Sequence, residues 1–355
     1  MDNRYFSDKV VEWYKSNKRD LPWRDTQDPY KVWLSEIILQ QTRVNQGMPY
    51  YLKFVERFPT VQELAAATEQ EVLRLWQGLG YYTRARNLHK CAKVVVASYG
   101  GVFPNTFETL LKLPGIGEYT AAAIASFSFK EPVAVVDGNV FRVLSRVFGI
   151  EDEINSPEGR KIFTTLANSL ISKKYPDFHN QAIMEFGALH CVPKNPFCSS
   201  CSFLQSCFAA KHNLQSALPR KIKLKSARRR YFYYIVFQKG KSLMMKRRAD
   251  KDIWEGLFDF QLIEKLRSIK PEKILSEFQQ AYRKPVEIEE VEISRDYRHV
   301  LSHQVINAKF IIIKLRKSPP IKDKNLKFYT FEKIYDLPKP VLITRFLSDY
   351  KNFYS

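Results

Sequence analysis

Up to residue 190, apolar residues recur every three or four positions, the spacing that lays them along one face of a helix. The pattern predicts helices over residues 5–16, 30–42, 45–58, 60–67, 69–75, 84–99, 106–112, 119–127, 140–148, 157–171 and 177–190. Pro29 suits the start of the second, because its ring fixes φ and its missing N–H is not needed there. Val32, Trp33, Ile37, Ile38 and Leu39 then form that helix's apolar side. Beyond residue 230 the rhythm changes to β-branched and aromatic runs broken by turns. Strands are expected at 231–238, 242–247, 286–294, 297–300, 305–315 and 327–330, with Lys239-Gly240-Lys241 as a turn and a helix over 271–281. Two rhythms imply two domains: an all-α domain over 1–218 and an α+β domain over 231–355. Between them, residues 219–230 carry seven bases and no acid, which reads as a linker lying along phosphates or as a solvated tether.

The places where the helical pattern breaks carry the chemistry. Leu113-Pro114-Gly115-Ile116-Gly117 cannot continue a helix and makes a tight hairpin. A Gly-x-Gly turn opening a helix presents bare N–H groups that suit a phosphate and read no base. Asp137 follows the apolar run 133–136 and precedes the helix at 140–148, so it is either an N-cap or a functional carboxylate. Glu36 sits among Trp33, Ile37 and Ile38; it is either a surface charge or, if buried, an acid whose pKa desolvation raises. Arg19-Asp20-Leu21-Pro22-Trp23-Arg24 is a basic and aromatic loop, pinned by a buried tryptophan or contacting nucleic acid. Cys191-x6-Cys198-x2-Cys201-x5-Cys207 gathers four thiols in a span of seventeen residues. Zinc and a [4Fe–4S] cluster both accept four cysteines, and spacing alone leaves the two open. Cys91, within the helix over 84–99, reads as a buried packing thiol.

Charge narrows the partner. With 57 Lys and Arg against 37 Asp and Glu, the chain carries +20, which points to a polyanion. Five cysteines, four of them clustered, fit a reducing compartment and a metal site rather than a disulfide framework. No apolar run approaches membrane-spanning length, and residues 1–10 lack the apolar core of a signal peptide. A cytoplasmic, nucleoid-associated bacterial monomer without membrane association is expected.

The hairpin followed by Val136-Asp137-Gly138-Asn139 resembles the helix-hairpin-helix DNA glycosylases, the endonuclease III superfamily. Trp33-Leu34-Ser35-Glu36-Ile37-Ile38-Leu39-Gln40-Gln41-Thr42 and Gly78-Leu79-Gly80-Tyr81-Tyr82-Thr83-Arg84-Ala85-Arg86-Asn87-Leu88 are similar to the signature segments of MutY-type adenine glycosylases. The resemblance implies excision of adenine paired with 8-oxoguanine or guanine in double-stranded DNA. Glu36 is then the general acid, Asp137 the carboxylate at the sugar, and Tyr119 and Asn139 their orienting partners. Leu113, Gly115 and Gly117 hold the DNA backbone, while Gln41 and Tyr81 wedge into the base stack. Gln181 lies against the flipped adenine, and Arg19, Trp23 and Arg24 border the base pocket. The cysteine spacing matches the cluster loop of the same enzymes and assigns Cys191, Cys198, Cys201 and Cys207 to a structural [4Fe–4S] cluster. Trp254-Glu255-Gly256-Leu257-Phe258 and the strand order resemble the family's Nudix-like C-terminal domain. There Ser302 and His303 face the oxidised purine, and Leu301 departs from the usual phenylalanine. The glutamates of the helix over 271–281, Glu272 and Glu277, are too scattered for magnesium-dependent pyrophosphate hydrolysis. Two rival readings follow from the same residues. One is an endonuclease III-like glycosylase and lyase for oxidised pyrimidines, disfavoured because tyrosine replaces the Schiff-base lysine at position 119. The other is a non-enzymatic iron–sulfur DNA-binding protein.

Overall fold

Caps set where the helices begin. In the computed structural model, which describes residues 3–222, 227–249, 252–280, 287–319 and 323–350, α1 spans Asn3–Asn17 and α2 spans Pro29–Leu39. Asp28 caps α2 by accepting the Tyr30 N–H at 2.9 Å. α3 (Val44–Arg57), α4 (Val61–Ala66), α5 (Glu69–Leu75), α6 (Thr83–Tyr99) and α7 (Phe107–Leu110) follow. A reciprocal Thr68–Glu71 capping box opens α5. α8 (Glu118–Phe129), α9 (Gly138–Phe148), α10 (Pro157–Leu170), α11 (Pro176–Leu189) and the short α12 (Phe208–Lys211) complete the series. One expectation needs correcting: α2 stops at Leu39, not at residue 42. Gln40 turns extended, Gln41 adopts φ of +55°, and the Thr42 N–H returns to the Leu39 carbonyl at 3.1 Å.

The chain divides into two compact units, Met1–Ala66 with Asn87–Leu224 and Ala67–Arg86 with Lys225–Ser355. In the first, α8 is buried along almost its whole length, and Ala121 to Ala123 and Ala125 let α2 and α11 approach it closely. Phe6, Val10 and Tyr14 of α1 meet Val143 and Val147 of α9, Phe163 of α10, Phe186 of α11 and Phe203 of the cysteine loop in one core. That packing fixes the start of α9, where Asp137 sits, against α11.

In the second unit a sheet of eight strands runs in the order β3-β2-β1-β7-β5, with β4 on β1, β6 on β7 and β8 on β2. The strands are β1 (Arg228–Lys239), β2 (Ser242–Arg247), β3 (Phe258–Asp259), β4 (Gln261–Lys265), β5 (Ile288–Ile293), β6 (Tyr297–Val300), β7 (Gln304–Leu315) and β8 (Lys327–Thr330). β1 and β7 pair in parallel and are covered on both faces. Alternate residues Tyr233, Ile235 and Phe237 share a core with Ile274 and Phe278 of α13 (Pro271–Gln280). On the opposite face Tyr234 stacks on Phe310, which stacks on Phe346 of α15 (Val341–Asp349) at 3.8 Å; α14 (Phe331–Asp336) precedes it.

β1 begins at Arg228, inside the stretch expected to be linker. Arg228, Arg229 and Arg230 pair with Gln304, Val305 and Ile306 of β7. Arg230 is buried and its guanidinium is held by Asp252 and Glu264, both at 2.6 Å, so it faces carboxylates and not phosphates. Lys223 and Lys225 of the basic stretch lie outside the described residues. Strands β3 and β4, and helices α14 and α15, were not anticipated by the pattern. No helix among the described residues is long and apolar enough to cross a membrane.

Candidate active site

A cavity of about 680 Å³ opens in the first unit where the end of α2, the starts of α8 and α9 and the middle of α11 converge. Of the residues singled out in the sequence, Glu36, Tyr119, Asp137, Asn139, Gln181, Arg19, Trp23 and Arg24 all line it. Its volume falls in the usual range for small-molecule sites and exceeds what a purine needs.

Glu36 reaches the cavity from the apolar side of α2 and is itself buried. Burial pushes its carboxyl up to about 7; the Tyr119 hydroxyl, donating at 2.5 Å, and Arg24 hold it down, while Asp137 pushes it up. Tyr119, on the first turn of α8, is therefore the direct partner of this acid. Asp137 caps α9 and also lines the cavity. Its Oδ1 caps α9 by accepting the N–H groups of Asn139 at 2.9 Å and Val140 at 2.8 Å, and its Oδ2 accepts the Asn139 side-chain amide at 2.7 Å. Burial raises the Asp137 pKa, opposed by those donors and by Arg142. Asn139 is oriented in turn by Arg142, which donates to Asn139 Oδ1 at 2.8 Å, to the Gly187 carbonyl at 2.6 Å and to the Cys191 carbonyl at 2.8 Å.

On α11 the decisive residue is Glu185, which the sequence reading missed. Its buried carboxylate accepts from the Arg19 backbone N–H, from Arg19 Nε and Nη2, and from both terminal nitrogens of Arg24, at 2.6–3.0 Å. Burial alone would raise its pKa, but these hydrogen bonds outweigh it and bring it down to about 2. One turn earlier, Gln181 Oε1 accepts the Tyr14 hydroxyl at 2.7 Å, leaving its amide nitrogen available to the cavity. No local signal marked Glu185, since its partners Arg19 and Arg24 reach it only through folding.

The hairpin lies between α7 and α8. The Ile116 N–H closes it onto the Leu113 carbonyl, and Gly115 holds φ of +76° with Asn87 so near that a Cβ would meet the Asn87 Cβ at 2.6 Å. Leu113 itself is buried. Gly117 borders a neighbouring cavity of about 1240 Å³ that also reaches Tyr119 and Gly138. Gln41 is exposed just past α2 and does not line the acid cavity.

The four clustered cysteines form no disulfide, and among the described residues no three His, Cys, Asp or Glu side chains close around a single ion. Burial raises the Cys201 thiol to about 11, the Phe203 N–H lowers it, and Cys191, Cys207 and Cys198 add to the rise, so the four sense one another. Buried Arg146 organises their loop by donating to the Val192, Pro193 and Gln215 carbonyls and to Cys191 Sγ at 3.4 Å. Cys91 is fully buried in the core.

In the second unit Ser302 and His303 occupy the tight turn from β6 to β7, closed by the Leu301 N–H on the Gln304 carbonyl at 2.8 Å. The Ser302 hydroxyl meets the Tyr81 hydroxyl, and the His303 carbonyl accepts the Arg228 N–H.

Residues 34–168 match the model of the HhH-GPD superfamily base excision DNA repair proteins, and residues 232–349 match a NUDIX domain. The adenine DNA glycosylase of Buchnera aphidicola subsp. Baizongia pistaciae (strain Bp) is 33% identical over 356 residues, 99% of each chain. The adenine DNA glycosylase of Homo sapiens is 44% identical over 222 residues, covering 60% of this chain and 41% of that one. Among solved structures, a thermostable thymine-DNA glycosylase aligns with a TM-score of 0.56 at 30% identity, covering 59% of this chain and 97% of that chain.

Proposed function

The chain belongs to the adenine DNA glycosylases, and from that premise we propose that it hydrolyses the N-glycosidic bond of adenine paired with 8-oxoguanine or guanine, without lyase activity. The observation that carries this reading is a buried acid with a pKa near 7 lining the same cavity of about 680 Å³ as a second carboxylate held by three N–H donors. A base inside a duplex is out of reach, so the adenosine is extruded into the cavity. Protonated Glu36 delivers its proton to the ring nitrogen N7, which turns adenine into a competent leaving group. As the bond to C1′ stretches, positive charge develops on the sugar, and ionised Asp137 stabilises or traps it. Water completes hydrolysis to an abasic site. The Gln181 amide and the arginine pair fixed by Glu185 supply the directional contacts that a purine edge needs.

Absence of lyase chemistry rests on Tyr119, which has no amine to form a Schiff base and is engaged with Glu36. Gln41 and Tyr81 are proposed to enter the base stack, since each is exposed in left-handed backbone. Ser302 and His303 are proposed to face the purine opposite the adenine. The hairpin over Leu113, Gly115 and Gly117 is proposed to hold a phosphate by its backbone. The protein is proposed to act as a monomer on double-stranded DNA.

Cys191, Cys198, Cys201 and Cys207 suit a [4Fe–4S] cluster. All are free thiols within electrostatic reach of one another, and four cysteines in one loop are a donor set that such a cluster accepts. When bound, such a cluster supplies a rigid staple for the loop, while the catalytic protons are moved by Glu36 alone. Iron and acid-labile sulfide in anaerobically purified protein test this, and stoichiometric zinc would overturn it.

The function is tested by single-turnover adenine release from duplexes that differ only in the base opposite A. Release opposite 8-oxoguanine and guanine, with little opposite thymine, is expected. A strong covalent complex after borohydride reduction would favour the lyase alternative.

A further inference from the structure

We infer that Trp76 and Arg84 are positioning residues that hold the Tyr81 ring as a rigid stacking element coupled to Ser302; this rests on the reading of Tyr81 and Ser302 given above. Tyr81 is half exposed and has φ of +49°, a backbone conformation that an aromatic residue adopts only when its surroundings impose it. Gly80 before it has φ of +75°, and a Cβ there would meet nothing within 4 Å, so its glycine serves conformation and not close packing.

The imposing contacts converge on one atom. The Gly80 carbonyl accepts from the indole N–H of fully buried Trp76 at 3.0 Å and from Arg84 Nη2 at 3.3 Å. That carbonyl lies in the peptide plane leading into Tyr81, so two donors anchored in the fold fix the plane from which the Tyr81 side chain projects. The Arg84 guanidinium lies 5.1 Å from the Trp76 ring centroid and 5.6 Å from the Tyr81 centroid, one cation serving two rings. Burial lowers the Arg84 pKa to about 10, which leaves it charged at neutral pH. The far end of the same ring carries the hydroxyl that meets Ser302. Ring direction and the position of the opposite-base contact are thereby tied to one brace.

The test uses the full chain and duplexes carrying A opposite 8-oxoguanine or guanine, with 2-aminopurine beside the opposite base. Arg84→Met is expected to lower the 8-oxoguanine over guanine preference in single-turnover release by roughly three- to thirty-fold, the range a lost cation–ring contact spans. The loss falls on half-saturation more than on maximal rate, and the 2-aminopurine signal reports a less ordered stack. Arg84→Lys restores part of it, and Tyr81→Phe, which keeps the ring but loses the Ser302 contact, lowers the preference as well. If Tyr81→Ala abolishes the preference while Arg84→Met retains it, the brace is wrong. If Tyr81→Ala itself changes nothing, the reading of Tyr81 as a DNA contact fails instead. Should Arg84→Met not fold, Trp76→Phe removes only one donor to Gly80, and an unaltered preference in that folded variant overturns the inference.

Discussion

Glu36 is one carboxylate whose environment can be read in both directions, as a burial cost and as a supply of protons. Its pKa near 7 means that the protonated, reactive form declines as pH rises through neutrality. The rate of adenine release is therefore expected to fall above about pH 7, and Glu36→Gln to lose about 10²–10⁴-fold in single-turnover rate. The Tyr119 hydroxyl favours the ionised form, so Tyr119→Phe is expected to raise the Glu36 pKa and move the alkaline limb of the pH profile upward. A downward move would show that Tyr119 acts differently. Glu185 gives the opposite sign. With a folded pKa of about 2 against an ordinary value of 4.5, it contributes stability that is present above pH 4.5 and lost as pH falls toward 2. Glu185→Ala strands the half-buried Arg24 cation together with Arg19 and is expected to cost about 3 kcal/mol by denaturant unfolding. Glu36 was legible as a charge interrupting an apolar helix side, a pattern that left surface and buried readings open until the fold buried it. Glu185 was not, because its partner Arg19 lies 166 positions away and only folding brings the two together.

At the level of elements, the helices that frame the cavity were legible to within a residue or two, since caps and breakers are local. The end of α2 was not: Gln40 and Gln41 have ordinary helix propensity, and it is their left-handed and extended backbone that ends the helix. β1 likewise starts early because Arg230 finds two carboxylates on other segments, a tertiary gain that no local pattern encodes. The contact between α9 and α11 makes a sharper prediction. A Cβ on Gly187 would meet the Asn139 Cβ at 2.7 Å and the Asn139 carbonyl oxygen at 3.0 Å. Gly187→Ala is therefore expected to displace Asn139 from Asp137 and to lower adenine release well beyond any loss of DNA affinity. Equal losses in both measurements would mean that the helix pair merely loosens.

For the whole molecule, a formal charge of +20 predicts tight and salt-sensitive binding to duplex DNA. The architecture also shows that net charge overstates what DNA encounters, because Arg230 and Arg248 are spent inside the sheet unit on Asp252, Glu264 and Asp259. Neighbouring arginines in one strand should then behave differently. Arg229, which is exposed, is expected on replacement by alanine to reduce the slope of log affinity against log salt by about one if it meets a phosphate. Arg230→Ala should leave that slope alone and lower the thermal midpoint, since it abandons two carboxylates. An identical salt response from the two variants would count against the distinction. Composition named the polyanion correctly, but which cations reach it depends on pairings that only the fold creates.

Asp137 starts a helix and is proposed to face the sugar, and this pairing of roles has a genetic consequence. Alanine there would discard the helix start as well as the charge, at about 0.5–2 kcal/mol for the cap alone. Asparagine caps as well as aspartate does, so Asp137→Asn is expected to yield a sound fold that grips mispairs and releases no adenine, measurable as retained binding without product. In a cell carrying both copies, such a variant would sit on lesions and shield them from the intact enzyme, making it a dominant allele where most inactivating changes would be recessive.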